Sequence, residues 1–548
     1  MKKQSKRSSK SDPLLEDTWN KNTTTYQSIA ECGYESDGRS VSSADLTSTR
    51  FRLLTATSSD EQLDDDGTTT TSDEVRFILK NSLPITLTFF MEYSMTIISL
   101  FIIGHLRCAS ELASASLAVM TYNITGLSVI EGLASSLDTF CSQAYGAQKY
   151  SKVGLYFLRC SAMIIVASVF LIGPWWYSSI WLGYLIPEKN LLGHVQQYLR
   201  IMTAGIPGIV LFETGKRYLQ AQGHFKPSTY VLVIVVPVNI LLVTLFTKWF
   251  GFVGAPVGIV ISQWLMALLL LTYALYFIPQ TSQCWYPFTD SWFHFKRVFS
   301  NWRPMCRLAF PGLMMIEAEY LSFEVLTIMS TYFGVKAIAA QTVIANIGSL
   351  VYQIPFAMGC VVSTRIANHI GMSLPRNAKT AVKATYYVSC LVGVGNLLLI
   401  ALFNKPLARM FTKDEEVIEL AHSVSYILAL NQLYDAFTTF GTAILRGQGR
   451  QRLGGVWNII AYYFFAIPLS GWLAFGPLHM ELIGLWLGCG AGILLLSVVF
   501  SWYIYSSSWD NIVRDFLQRE AEDLEIDIES MASASTSASV FSQSENEI

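Results

Sequence analysis

The chain has 548 residues, 52% apolar and only 14% charged, with a mean hydropathy of +0.39 and a formal charge of −2. Soluble chains carry about 25% charged residues, so this balance excludes an ordinary cytosolic enzyme, and the near-neutral total excludes a nucleic-acid footprint. Of 40 acidic residues, 14 lie in 1–74 and 10 in 507–548, which describes a hydrophobic body with two polar tails, a polytopic membrane protein.

The first segment, 1–79, reads as a disordered cytosolic tail. It holds 25 Ser and Thr up to residue 74 and too few large apolar side chains to offset the entropy of ordering. Asp12-Pro13-Leu14-Leu15-Glu16-Asp17 resembles an acidic dileucine sorting signal, with Lys10 where the acid belongs, and the Ser/Thr content suits phosphorylation-controlled trafficking. A start this polar predicts no cleavable signal peptide. Apolar runs of about 20 residues follow, each long enough to cross a ~30 Å hydrocarbon core as a helix. Twelve are expected: 80–104, 112–134, 155–176, 191–214, 228–250, 254–279, 307–333, 337–361, 381–404, 419–443, 455–475 and 481–506. Trp175, Trp176, Tyr177 and Trp181 after the third suit an interfacial aromatic belt. The domains are then an N-lobe at 80–279, a cytosolic linker at 280–306, a C-lobe at 307–506 and an acidic cytosolic tail at 507–548, within which 509–528 has an amphipathic helical pattern.

Loops after even-numbered spans carry sixteen Lys and Arg against seven after odd-numbered spans, so the positive-inside rule places both tails in the cytosol. The sequons at Asn22 and Asn123 then fall in a cytosolic tail and in a span, where neither is glycosylated. Nine scattered Cys form no CxxC pair and read as packing thiols. HExxH, P-loop and GxGxxG patterns are absent, so nothing signals metal hydrolysis or nucleotide binding.

The two halves repeat one another. Pro84 maps to Pro311 and Glu92-Tyr93 to Glu319-Tyr320, both at the same offset, while Tyr-Leu-Gln-Ala-Gln-Gly at 218–223 maps to Ile-Leu-Arg-Gly-Gln-Gly at 444–449. An even number of spans per half keeps the halves in one orientation, related by an axis along the membrane normal. Two six-helix lobes around a cleft is the expected architecture, all-α, and it suits an alternating-access carrier.

The stretches at 132–150, 218–223, 355–371 and 444–449 resemble the multidrug and toxic compound extrusion (MATE) family, over about 80–506 and most closely its eukaryotic, fungal-like members. The resemblance implies that two lobes alternate access and export organic solutes against protons, or against sodium in some members. It also ties Glu319, Glu324 and Asp435 to cation or substrate handling. Asn346 stands where some animal members carry a further acid.

The residues themselves point the same way. Glu92, Glu213, Glu317, Glu319, Glu324 and Asp435 fall inside spans, where an ionised carboxylate costs several kcal/mol unless it faces a cavity or a partner. At ~1.5 Å per residue, Glu319 and Asp435 reach about the same depth on two helices. Two carboxylates together in low dielectric cannot both keep full charge, so such a pair takes up and releases a proton as its exposure changes. Glu319 and Asp435 are the expected coupling pair, with Glu324 as a third member on a helix distorted near Pro311-Gly312, and Glu92 as an N-lobe counterpart. Glu213 and Glu317 are expected to pair with Arg200 or Arg307 or to lie near a lobe surface. Asn123, Tyr320, Gln341, Asn346, Tyr352 and Tyr434 are the candidate cavity walls. Asp138 and Arg365, near the cytosolic ends of the second and eighth spans, are expected to cap helices or lock an inner gate.

The expectation is a monomeric secondary transporter, not an enzyme, without bound cofactor or metal. It exchanges a proton for small organic cations or zwitterions in the vacuolar or plasma membrane. A sodium-coupled exchanger and a lipid-linked oligosaccharide flippase are the alternatives.

Overall fold

The structure is a computed structural model that describes residues 69–185, 189–285 and 297–522. The dileucine-like stretch, the Asn22 sequon and the Ser/Thr-rich tail up to residue 68 lie outside the described residues, as do 286–296 of the linker and 523–548. The chain divides into two compact units. In the smaller one, a helix over 509–522 buries Trp509, Ile512, Val513 and Phe516, the one-face spacing of an amphipathic helix.

The larger unit, Thr71–Ser373 with Ala378–Ser507, is the membrane body. Among the described residues it contains no strand, and twelve helical rods carry it. In the first half, α1 is Thr71–Leu106, and α2 joins Ala109–Tyr122, Asn123–Leu127, Ser128–Ala134 and Ser136–Gly146 end to end. The remaining four are α3 (Tyr150–Trp176), α4 (Lys189–Met202, Thr203–Gly205 and Ile206–Ala221), α5 (Pro227–Phe250) and α6 (Gly254–Phe277). The second half repeats this as α7 (Arg303–Ser330), α8 (Val335–Gly371), α9 (Pro375–Arg409), α10 (Glu415–Gly447), α11 (Gln451–Phe475) and α12 (Glu481–Ser506).

Among the described residues, eight stretches are apolar and long enough to cross a membrane, one of them, Pro227–Phe277, holding both α5 and α6. The rods outside that set are α4, α7 and α10, which carry most of the buried charge described below. Several helices overrun the expected spans. α1 begins at Thr71 rather than 80, because Glu74 and Ile78 are buried, so 71–79 is helix and not tail. α4 continues to Ala221, which takes Lys216 and Arg217 out of the loop expected to hold them and buries both.

The repeat is legible in the packing. α1 packs on α5 as α7 packs on α11, and α5 pairs with α6 as α11 pairs with α12. The matched Gln-Gly pairs end α4 and α10 in the same way: Gly223 (φ 80°) and Gly449 (φ 72°) both occupy the left-handed region where a β-carbon is unfavourable. Trp175 departs from the aromatic belt. It is fully buried, donates from Nε1 to Thr125 Oγ1 at 2.8 Å and packs on the π-helical turn Asn123–Leu127 of α2.

Candidate transport cavity

The halves meet where α1 and α7 begin and α2 and α8 finish. There Gly146 of α2 lies against the carbonyl of Asn368 on α8, and Gly371 of α8 lies against the carbonyl of Gln143 on α2. Each contact is the other's mate in the repeat, and each leaves no room for a β-carbon. Side chains tie the crossing. Thr139 Oγ1 donates to the Arg446 carbonyl at 2.6 Å, and Gln143 Nε2 donates to the Gly447 carbonyl at 3.2 Å.

Two charged clusters lie at the same end. Glu74 of α1 accepts from Arg365 Nε at 2.9 Å and from Arg365 Nη2 at 2.7 Å, and His369 Nε2 stands 3.2 Å from its Oε1. The guanidinium lies 4.4 Å over the Phe77 ring. Asp138 of α2 sits between Arg217 Nε of its own half at 3.5 Å and Arg446 Nη1 of the other half at 3.7 Å. Asp138 and Arg365 therefore make ion pairs that bridge the halves, and neither caps a helix end. Glu74 escapes sequence reasoning because it falls in a polar stretch that reads as tail.

Beyond this closed end the halves part around a cavity of about 530 Å³, within the range of small-molecule sites. Its C-lobe wall carries Glu319, Tyr320, Phe323, Glu324 and Thr327 of α7, Asn346 and Tyr352 of α8, and Asp435 of α10. Glu319 accepts from Tyr352 Oη at 3.3 Å and lies within electrostatic range of Asp435. At 100° per residue, positions 319 to 327 sweep an arc of about 140°, with Glu319 at one edge and Glu324 at the other. Both carboxylates thus reach the cavity on an unbroken helix, and the distortion expected at Pro311 is not needed.

The N-lobe wall carries Glu92 of α1, Asn123 and Glu131 of α2, and Glu213 of α4. The π-helical turn at Asn123 widens α2 locally, which lets Asn123, Leu127, Ser128 and Glu131 share one face toward the cavity. Glu92 is ion-paired, 3.0 Å from Lys216 Nζ. Glu213 holds Lys216 Nζ at 2.7 Å and Arg217 Nη1 at 2.5 Å, not Arg200, which instead donates to the Trp176 carbonyl. Glu317 accepts from Ser128 across the boundary between halves, not from Arg307, and Tyr93 Oη donates to Asn346 Oδ1 at 3.5 Å across the same cleft.

Two expected wall residues lie elsewhere. Gln341 is wholly buried, and its Oε1 accepts from Trp486 Nε1 at 2.7 Å, so it joins α8 to α12 while Trp486 faces the cavity. Tyr434 is not among the lining residues; it adjoins Asp435, and neighbours on a helix point about 100° apart. Glu131 is the lining acid that sequence reasoning passes over, although it meets the same criterion, a carboxylate inside an apolar span. Lys216 and Arg217 are hidden by a span boundary that stops at 214, short of the true helix end at Ala221.

A two-lobed helical body whose halves seal at one end around a central, acid-walled cavity defines the class: a membrane transporter. The MatE family model matches the chain twice, at 84–245 and 311–472, so the two matches start at the repeated prolines Pro84 and Pro311. The chain is 39% identical to an uncharacterised transporter of Saccharomyces cerevisiae over 84% of its own length and 65% of that protein's. It is 31% identical to multidrug and toxin extrusion protein 2 of Mus musculus over 78% of this chain and 74% of the mouse protein. The crystal structure of the eukaryotic MATE transporter AtDTX14 superposes with a TM-score of 0.75 at 26% identity, covering 82% of this chain and 98% of that one. The protein belongs to the MATE family of multidrug and toxin extrusion transporters.

Proposed function

We propose that the protein is a proton-coupled antiporter that exports small organic cations or zwitterions by alternating access, with Glu319 and Asp435 as the coupling pair and Glu324 beside them. The observation that carries this reading is the placement of both acids, Asp435 buried and Glu319 half-buried, on one cavity wall within electrostatic range of each other. A cationic solute and a proton compete for the same negative charge. On the acidic side of the membrane the pair takes a proton and the solute leaves. On the cytosolic side the proton leaves and a new solute enters. Tyr352, donating to Glu319, orients that carboxylate, and Tyr320, Asn123 and Asn346 supply polar wall around the solute.

Both chain termini are assigned to the cytosol. Removing Lys216, Arg217, Arg365 and Arg446, which are buried or paired inside helices, from the sixteen cytosolic loop cations still leaves twelve against seven. The end sealed by α2 and α8 is then the inner gate. Plasma and vacuolar membranes both present an acidic far side.

The test is flux into proteoliposomes under an imposed pH or sodium gradient, across a panel of organic cations and amino-acid analogues. Uptake should follow the pH gradient and collapse with it. Glu319→Gln and Asp435→Asn should each lower gradient-driven flux at least ~10-fold while inserting normally, as for groups required in the transport cycle. Sodium-driven flux indifferent to pH would overturn the proton assignment, and intact flux in both variants would overturn the site.

A further inference from the structure

Lys216 is a lysine inside a membrane helix, 2% exposed, with its ammonium held by carboxylates of two helices. Nζ lies 3.0 and 3.3 Å from the two oxygens of Glu92 on α1 and 2.7 Å from Glu213 Oε1 on α4. It also stands 4.6 Å from the Phe89 ring centroid and 5.4 Å from that of Phe212. Carboxylates and ring faces are the groups that bind a free ammonium ion. Here the ion is tethered to the protein.

What it fills is a cation site in its own right. Glu92, Glu131 and Glu213, from three helices, each offer a carboxylate oxygen, and these oxygens lie within 4.8 Å of one another. Hard monovalent and divalent cations take such oxygen sets. Arg217 secures the far oxygen of Glu213 and reaches the Glu131 backbone carbonyl, which fixes the frame without entering the triangle. Glu131 is about nine-tenths buried, faces the cavity, and its carboxylate meets no hydrogen-bond donor among the described residues. It is the polar group left over once Lys216 has satisfied the other two.

The repeat sharpens the contrast. Glu92 and Glu319 are mates, yet the counterpart of Lys216, two positions before the matched six-residue motif in each half, is Thr442. Glu213, three positions before Lys216, has Thr439 as its counterpart, so the N-lobe carries both the lysine and its acid while Glu319 has neither beside it in the repeat.

We propose that Lys216 is a built-in counter-cation that occupies the Glu92–Glu131–Glu213 site, bars free cations from it, and thereby confines ion exchange to the C-lobe acids. The idea rests on the ion-coupled reading given above and adds the reason that only one half of a duplicated protein exchanges ions. It predicts that removing the lysine unmasks a site for a small cation.

The experiment is thermal unfolding of the purified full-length protein in nanodiscs, parent against Lys216→Ala, in methylammonium, sodium or tetramethylammonium chloride at equal ionic strength. The variant should melt below the parent. Its midpoint should rise by about 3 °C in ~0.1 M methylammonium or sodium and not in tetramethylammonium, as linkage requires for a filled site. The parent should respond to none of the three. A folded variant indifferent to both small cations overturns the proposal, and so does a parent that responds as strongly as the variant. If Lys216→Ala aggregates, Lys216→Met, which keeps the side-chain stem and all three carboxylates, is read by the same two outcomes. The readout is binding, so loss of the proton-coupling reading through the Glu319 and Asp435 variants would leave this result standing on its own.

Discussion

Single residues in this protein are explained by what they face rather than by what they are. Glu92 and Glu319 are the same residue in two copies of one motif, but Lys216 meets the first and Tyr352 the second. Sequence alone locates both acids, because a carboxylate inside an apolar run is conspicuous. It does not assign their partners, since Lys216 is far from Glu92 along the chain and reads there as a loop cation. Gln341 and Tyr434 mislead for a related reason: polarity in a span marks a side chain that needs a partner, and helix–helix bonds satisfy that need as well as a cavity does. Gln341→Leu should therefore lower stability by about 1–3 kcal/mol through the unpaired Trp486 N–H, with the spectrum of transported solutes little changed, as thermal unfolding and flux competition would read. Asp138→Asn is expected to cost more, about 3–5 kcal/mol, because Arg217 and Arg446 both lose a buried counter-charge. A thermal midpoint unchanged from the parent would remove Asp138 from any bridging role.

At the level of elements, nine of the twelve rods are legible as long apolar stretches and α4, α7 and α10 in spite of the charges they carry, while the ends and irregularities of the rods are not. The hydrophobic signal stops where the hydrocarbon does. Helices do not, so α1, α4 and α8 run on into charged sequence: Glu74 of α1 and Arg365 of α8 pair across the halves, whereas Lys216 and Arg217 of α4 pair with acids of their own half. The π-helical turn at Asn123 has no sequence signature, although Trp175 packed on Gly126 is part of what holds it. The crossing of α2 and α8 depends on two glycines, each against a carbonyl that cannot swing away. Gly146→Ala is expected to add about 1–3 kcal/mol of overpacking there. It should shift the population toward the form in which this end is open, visible as a longer spin-label distance between the ends of α2 and α8 and not as loss of helix content.

For the whole molecule, the bridges Glu74–Arg365–His369 and Arg217–Asp138–Arg446 exist only while the halves meet at the closed end. Opening that end must break both, so their strength biases the balance between the two faces of the transport cycle. Glu74→Gln should weaken one bridge and raise accessibility at the closed end, measured by thiol labelling of a single cysteine introduced near residue 78 in a background lacking reactive cysteines. Labelling no faster than in the parent background would show that Glu74 does not restrain the gate.

The paired glycine notches carry one more consequence. Since each grip is a copy of the other, neither half can slacken first: a tilt that frees Gly146 from its notch frees Gly371 by the same amount. A latch with two equal hands has no half-undone state, so this end of the protein should let go in a single jump instead of peeling from one edge.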